Sequence, residues 1–254
     1  MTYCLAVRVQ SGLVFVSDSR TNAGIDHVST YSKMQQFGRD GDRQLMLLTA
    51  GNLATTQGVV DQLNRDIRDA ARVNLFTVSD IGEAADYVGN INRHQQKKVT
   101  GGGATFEASF ILGGQIGAEA PAVVLIYPEG NHIRATDETP YLQIGESKYG
   151  KPILDRIIAN ETSLEQASLC GLVSMDSTIR SNVTVGPPVE LLVYHRDTLL
   201  AGEHLRLDHD SPYLRELKRT WEEGLREAFR HLPPINWARN GKEPRTADPR
   251  PVLV

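Results

Sequence analysis

Residues 1–20 read MTYCLAVRVQSGLVFVSDSR, and this stretch decides how the rest of the chain is read. Tyr3 to Gln10 is rich in β-formers, Ser11-Gly12 marks a tight turn, and Leu13 to Val16 is a second apolar run ending at Ser17-Asp18-Ser19-Arg20. Two such runs across a tight turn form a hairpin, with the start of the first strand beside the end of the second. Asp18 is thereby brought close to Thr2.

Downstream, a polar stretch containing Asn22 and Gly24 leads to a short strand over Lys33 to Phe37. Arg39-Asp40-Gly41-Asp42 is a turn signal, and Gln44 to Ala50 a fourth strand. The period then changes. Leu53, Val60, Leu63, Ile67 and Ala71 recur at helical spacing, as do Ile81, Ala84, Val88 and Ile91 after a Ser79 cap. Strand chemistry returns at Thr105 to Leu112, Ala122 to Tyr127 and Tyr141 to Ile144. Helices are expected over Lys151 to Ala159 and from a Ser163/Gln166 capping box toward Met175. Val189 to Tyr194 is a late strand, and a long helix opens at Ser211-Pro212 with Leu214, Leu217, Trp221, Leu225, Phe229 and Leu232 on one stripe. Strands in antiparallel blocks, separated by helix pairs, favour a layered α+β domain over alternating βαβ units. The expected division is one domain over residues 1–233 and a proline-rich extended tail over 234–254.

The composition narrows the function classes. With 254 residues, 40% hydrophobic and 23% charged, the chain has an ordinary globular mix. A formal charge of −4 offers no basic face for nucleic acid or an anionic membrane. The first ten residues lack the basic start of a secretory signal, and no run approaches the ~18 apolar residues of a membrane span. A cytoplasmic chain is expected. Cys4 and Cys170 lie in apolar runs and support neither a disulfide framework nor a zinc site. The seven histidines are scattered, with His204 and His209 outside any metal-ligand spacing, so no metal is expected. Gly101-Gly102-Gly103 precedes a strand rather than a helix, which makes it a poor phosphate cradle. No cofactor is expected either.

The chemistry is concentrated at the start of the chain. Thr2 is small enough for removal of Met1, which would leave an α-amine and a hydroxyl on one residue. That pairing is a self-contained nucleophile and base, and a free α-amine titrates at about 7.7–8.0, close to neutrality. A lysine at Lys33 would favour the ionised Thr2 hydroxyl, and Asp18 would hold that lysine charged and oriented. Gly51, in Thr49-Ala50-Gly51-Asn52, ends a strand and opens a helix, where a bare backbone N–H can serve an oxyanion. Taken singly, these residues also fit plainer roles: a strand-end turn, a solvated face and a strand-to-helix turn. Thr21, Tyr31, Thr49 and Leu53 are candidate pocket walls.

As an ordered set, the Met-Thr start, Ser-Asp-Ser-Arg, Ser32-Lys33-Met34 and Thr-Ala-Gly resemble the proteasome β-type N-terminal-nucleophile (Ntn) hydrolases, and among them the bacterial Anbu (ancestral β subunit) branch. Phe110-Ile111-Leu112-Gly113-Gly114 and Tyr141-Leu142-Gln143-Ile144-Gly145 also match strands typical of that family. The resemblance implies a four-layer αββα sandwich, a catalytic set of Thr2, Asp18, Lys33 and Gly51, and self-association into a ring-like or open helical homo-oligomer. It implies threonine-type hydrolysis of peptide or related amide bonds. The chain departs from the pattern where the family carries Gly-Ser-Gly, reading Gly145-Glu146-Ser147 instead. It also carries Thr178 three residues before Ser181, with Asp176 the nearest aspartate. Ser147, Asp176 and Ser181 are therefore the supporting candidates. Two alternatives stay open: the same fold as a weakly active or inactive assembly scaffold, and an Ntn amidase for a small metabolite amide.

Overall fold

Several strands of this chain are apolar on both faces, and the two faces enter different cores. The computed structural model describes residues 1–22, 28–98 and 106–235. In β1 (Tyr3–Val9), Tyr3, Leu5, Val7 and Val9 pack in one apolar cluster while Cys4 and Ala6 enter another. In β2 (Gly12–Asp18), Val14 and Val16 join the first cluster, and Leu13 and Phe15 the second. A strand alternates faces every residue, so a continuous apolar run is what burial on both sides requires.

The first sheet has the order β10-β1-β2-β11-β12, with β10 over Tyr141–Gly145, β11 over Val189–His195 and β12 over Glu203–Leu207. The second runs β5-β6-β7-β8-β9, from Met34–Arg39 through Arg43–Gly51, Ala108–Ile116 and Ala122–Ile126 to His132–Arg134. Both are antiparallel throughout. A short ribbon, β3 (Arg20–Asn22) with β4 (Val28–Thr30), leads from one sheet to the other. Met46 and Leu48 of β6, Ile111 of β7 and Val123 and Leu125 of β8 meet Cys4, Ala6, Leu13 and Phe15 in a shared apolar layer.

Five helices occur among the described residues, covering the outer faces of the strands they touch. α1 (Leu53–Arg68) and α2 (Ile81–Lys97) bring Val59, Leu63, Ala84 and Val88 onto Leu45, Leu47, Phe110 and Val124. α3 (Lys151–Ile157) and α4 (Leu164–Ser181) bring Leu154, Ala167, Leu172 and Met175 onto Leu5, Val14 and Val16. α5 (Pro212–Arg230) buries no residue fully; Leu214 and Leu217 pack against the α4 side while Leu225 and Phe229 stay exposed. The antiparallel α+β arrangement agrees with the sequence reading.

Details differ from that reading for local reasons. Asp80, rather than Ser79, caps α2: its backbone is extended and its carboxylate accepts the Glu83 N–H at 2.9 Å. Ser79 instead donates its hydroxyl to the Glu83 side chain. β2 runs two residues past Val16 because Ser17 and Asp18 pair with Glu190 and Val189 of β11. β3, β4, β9 and β12 are short or polar and carry no periodic signal of their own. α3 ends at Ile157, and α1 ends at Arg68, short of Ala71. The expectations at Gly24, at Gly101 to Gly103, at Thr105 and over 236–254 lie outside the described residues.

Candidate active site

Register places the start of the chain against Asp18. β1 and β2 pair Cys4 with Ser17, so the residue before Cys4 reaches the carboxylate that follows Ser17. The Tyr3 N–H donates to Asp18 Oδ1 at 3.0 Å. β11 pairs Val189 with Asp18, which brings the preceding turn over the same carboxylate, and the Gly186 N–H donates to Asp18 Oδ2 at 3.2 Å. Lys33 comes from the approach to β5, where the Thr49 N–H fixes its carbonyl at 2.9 Å. Its Nζ donates to Asp18 Oδ1 at 2.6 Å and to the Arg20 carbonyl at 2.7 Å.

Both charged side chains are buried, Asp18 at 0% and Lys33 at 8% exposure. Burial pushes the Asp18 carboxyl up, and Lys33 and the two backbone donors oppose that push. Removing charges from water is costly unless each finds close partners. Three donors on Asp18, and two acceptors on Lys33, meet that requirement.

Above this pair lies a cleft of about 710 Å³ lined by Thr2, Lys33, Gly51 and Gly145 together with the four expected wall residues, Thr21, Tyr31, Thr49 and Leu53. The Thr2 carbonyl accepts the Glu146 N–H at 2.7 Å. Gly145 permits this approach: it has φ +82°, and a Cβ there would lie 2.0 Å from the Thr2 oxygen. Gly51, at φ +112°, ends β6 just before Asn52 caps α1. A side chain at Gly51 would strike the Glu107 carbonyl at 2.3 Å, so this bend needs glycine. The N-terminal amine, here on Met1, is lowered from its ordinary 8.0 by burial first and by Lys33 second, while Asp18 and Glu146 pull it upward.

Thr2, Lys33 and Gly51 thus share one cleft, with Asp18 beneath Lys33. None of the supporting candidates, Ser147, Asp176 and Ser181, is among the residues that line the cleft. The Ser147 carbonyl accepts from Gln143 Nε2 at 3.4 Å. Asp176 sits on α4 within the field of Lys218 and Glu222 of α5. Ser174 and Thr178, which are buried, mark one face of α4, and Asp176, two residues from each, lies about 160° around the helix from either. Ser181 is the exposed last residue of that helix. Residues that sequence reasoning missed are Gly186, which donates a backbone N–H to Asp18, and Asn182, whose Nδ2 donates to Glu146 Oε2 at 3.2 Å. The Gly186-Pro187-Pro188 turn was the available signal for the first; the second had none.

Paired antiparallel sheets packed with helices, and a chain start held against a buried lysine–aspartate pair, define a proteasome-like α+β class. No family model matches the chain, and neither does any curated protein. Solved structures do. Anbu from Yersinia bercovieri is 46% identical over 92% of this chain and 99% of its own, with a TM-score of 0.89. The helical assembly of the Anbu complex from Pseudomonas aeruginosa is 47% identical over 93% and 99%, with a TM-score of 0.89. Anbu from a Hyphomicrobium species is 43% identical over 92% and 100%, with a TM-score of 0.86. The chain belongs to the Anbu (ancestral beta-subunit) family.

Proposed function

We propose that this protein is a threonine-type Ntn hydrolase that cuts peptide or related amide bonds through an acyl-enzyme at Thr2. The observation that carries the reading is the buried Lys33 ammonium, held by Asp18 at 2.6 Å, in the wall of the cleft that Thr2 lines. While Met1 is attached, the Thr2 nitrogen is a peptide nitrogen and no base. Removal of Met1 frees the amine.

The Thr2 Oγ then attacks the substrate carbonyl carbon and its proton passes to the α-amine, directly or through a water. The Gly51 N–H steadies the oxyanion, and Lys33 favours negative charge on Oγ. Collapse breaks the C–N bond, and the ammonium returns the proton to the leaving amine. Water next attacks the acyl ester with the same amine as base, releasing the carboxylic acid and restoring Thr2. A lost oxyanion donor typically costs ~10²–10³ in rate.

The apolar clusters support the finer architecture as well. We read the two sheets and their helix pairs as a four-layer αββα sandwich spanning a domain of residues 1–233, with 234–254 as a tail. A second role, assembly, is favoured by one observation. Leu225 and Phe229 of α5 are 49% and 76% exposed, a stripe that suits contact with another copy in a ring-like or open helical homo-oligomer. The helical assembly of the Pseudomonas aeruginosa relative supports this reading.

The test is a screen of short peptide amides and small metabolite amides on protein whose exposed Thr2 has been verified by intact mass. Hydrolysis by the processed chain, and none by Thr2→Ala, is expected. Hydrolysis that survives Thr2→Ala refutes the assignment.

A further inference from the structure

One buried carboxylate beside the chain start has no role in the steps above. Glu146 follows β10, its backbone N–H holds the Thr2 carbonyl at 2.7 Å, and the residue is 6% exposed. Its Oε2 accepts from Asn182 Nδ2 at 3.2 Å. Asn182 is itself fixed. Its backbone N–H donates to the Thr178 carbonyl at the end of α4, and its Oδ1 accepts from the Thr184 N–H at 3.0 Å and the Thr184 hydroxyl at 2.6 Å. With Oδ1 occupied by two donors, the amide can turn only its NH₂ toward Glu146.

A buried carboxylate needs a cation or several donors nearby. Lys33, Asp18 and Glu146 are the charged groups that act on the Met1 amine, one residue ahead of the Thr2 nitrogen. Lys33 is paired with Asp18, and the Glu146 N–H on the Thr2 carbonyl sets Glu146 beside the residue whose nitrogen becomes the α-amine once Met1 is removed.

We propose that Glu146, held in place by Asn182, is a positioning residue for the α-amine of Thr2. This deepens the hydrolase reading and rests on it. The amine must be neutral to take the Thr2 proton, and Lys33 favours that neutral form. Once the proton has moved, the new ammonium is steadied and aimed by the Glu146 carboxylate until it protonates the leaving group. Glu146 neither gains nor loses a proton or a bond in the cycle.

The experiment measures the amine itself. Wild-type, Glu146→Gln and Asn182→Ala proteins whose exposed Thr2 has been verified by intact mass are pulsed with limiting acetic anhydride from pH 5 to 9, and acetylation of the N-terminal peptide is followed by mass spectrometry. The amine of Glu146→Gln is expected to titrate lower by about half a pKa unit or more, roughly threefold in the neutral-to-charged ratio. Asn182→Ala should move it the same way by less, and it serves alone if the glutamine variant does not fold. In turnover, kcat of Glu146→Gln should fall about tenfold with KM unchanged. An amine that titrates at the same pH in wild type and both variants overturns the proposal. Acetylation is read without turnover, so a failure of the hydrolase reading shows separately, as activity that survives Thr2→Ala.

Discussion

Lys33 Nζ lies 2.6 Å from Asp18 Oδ1, and the two side chains close a buried ion pair directly under the start of the chain. The pair serves structure and chemistry at once, and the two roles separate experimentally. Lys33→Met leaves the Asp18 carboxylate buried without its cation, a loss of about 3–5 kcal/mol. Adding Asp18→Asn should restore most of that stability in chemical denaturation. Hydrolysis should stay at least a hundredfold down in both variants, about the contribution of an acid–base group. Recovery of activity together with stability would mean that the pair only supports the fold.

Gly145 sets how closely Thr2 meets the strand beside it. A Cβ at Gly145 would lie 2.0 Å from the Thr2 carbonyl oxygen, and the backbone there has φ +82°. Gly145→Ala should cost about 1–3 kcal/mol, the usual range for a strained backbone residue. It should lower kcat by a larger factor than an equally destabilising core change such as Val59→Ala. Thermal melts and steady-state kinetics on the two variants make the comparison.

The pH profile follows from the amine. Burial, then Lys33, holds the Met1 amine below its ordinary 8.0. In the processed enzyme the base is the Thr2 amine, and Thr2 and Lys33 line the same cleft; a general base works in its neutral form, so kcat/KM should rise with pH through a midpoint below the ordinary 8.0. The linkage has the same sign. Folding disfavours the charged amine, so stability should increase as pH rises from the depressed folded value to the unfolded one, and this group's contribution should be level outside that window. Denaturant midpoints of Met1-bearing Thr2→Ala protein between pH 6 and 9 isolate this second effect from catalysis.

The exposed stripe of α5 should govern assembly rather than folding. Phe229 is 76% exposed, so Phe229→Asp removes little from the monomer's core. Sedimentation velocity is expected to show smaller species for Phe229→Asp than for wild type at equal concentration, with unchanged circular dichroism. An unaltered size distribution would assign assembly to another surface.

Much of this was legible in the first 51 residues, because strand alternation, hairpin turns and a Met-Thr start are all local signals. Asp18 could be placed near Thr2 from hairpin logic alone, whereas Lys33, outside the hairpin, was joined to it only through the family resemblance. Gly186 and Asn182 could not be placed, since Gly186 lies 168 residues from Asp18 and Asn182 lies 36 from Glu146, and they arrive through the β2–β11 pairing and the end of α4. Asp176 and Ser181 follow from the family's aspartate–serine pattern, and a sequence pattern does not reveal which face of α4 looks inward. The Ser79 cap failed for a related reason: adjacent Ser79 and Asp80 both suit a cap, and only the extended backbone of Asp80 decides between them.

The central proposition is that the Thr2 oxygen becomes acylated. Processed protein can be treated with a β-lactone, which opens on a nucleophilic hydroxyl and adds its full mass as an ester, and the adduct then mapped by fragmentation. One equivalent on the residue 2 side chain, formed in wild type, slowed in Lys33→Met and absent in Thr2→Ala, is the expected result. An adduct at any other residue, or substrate turnover that continues with residue 2 unmodified, would contradict it.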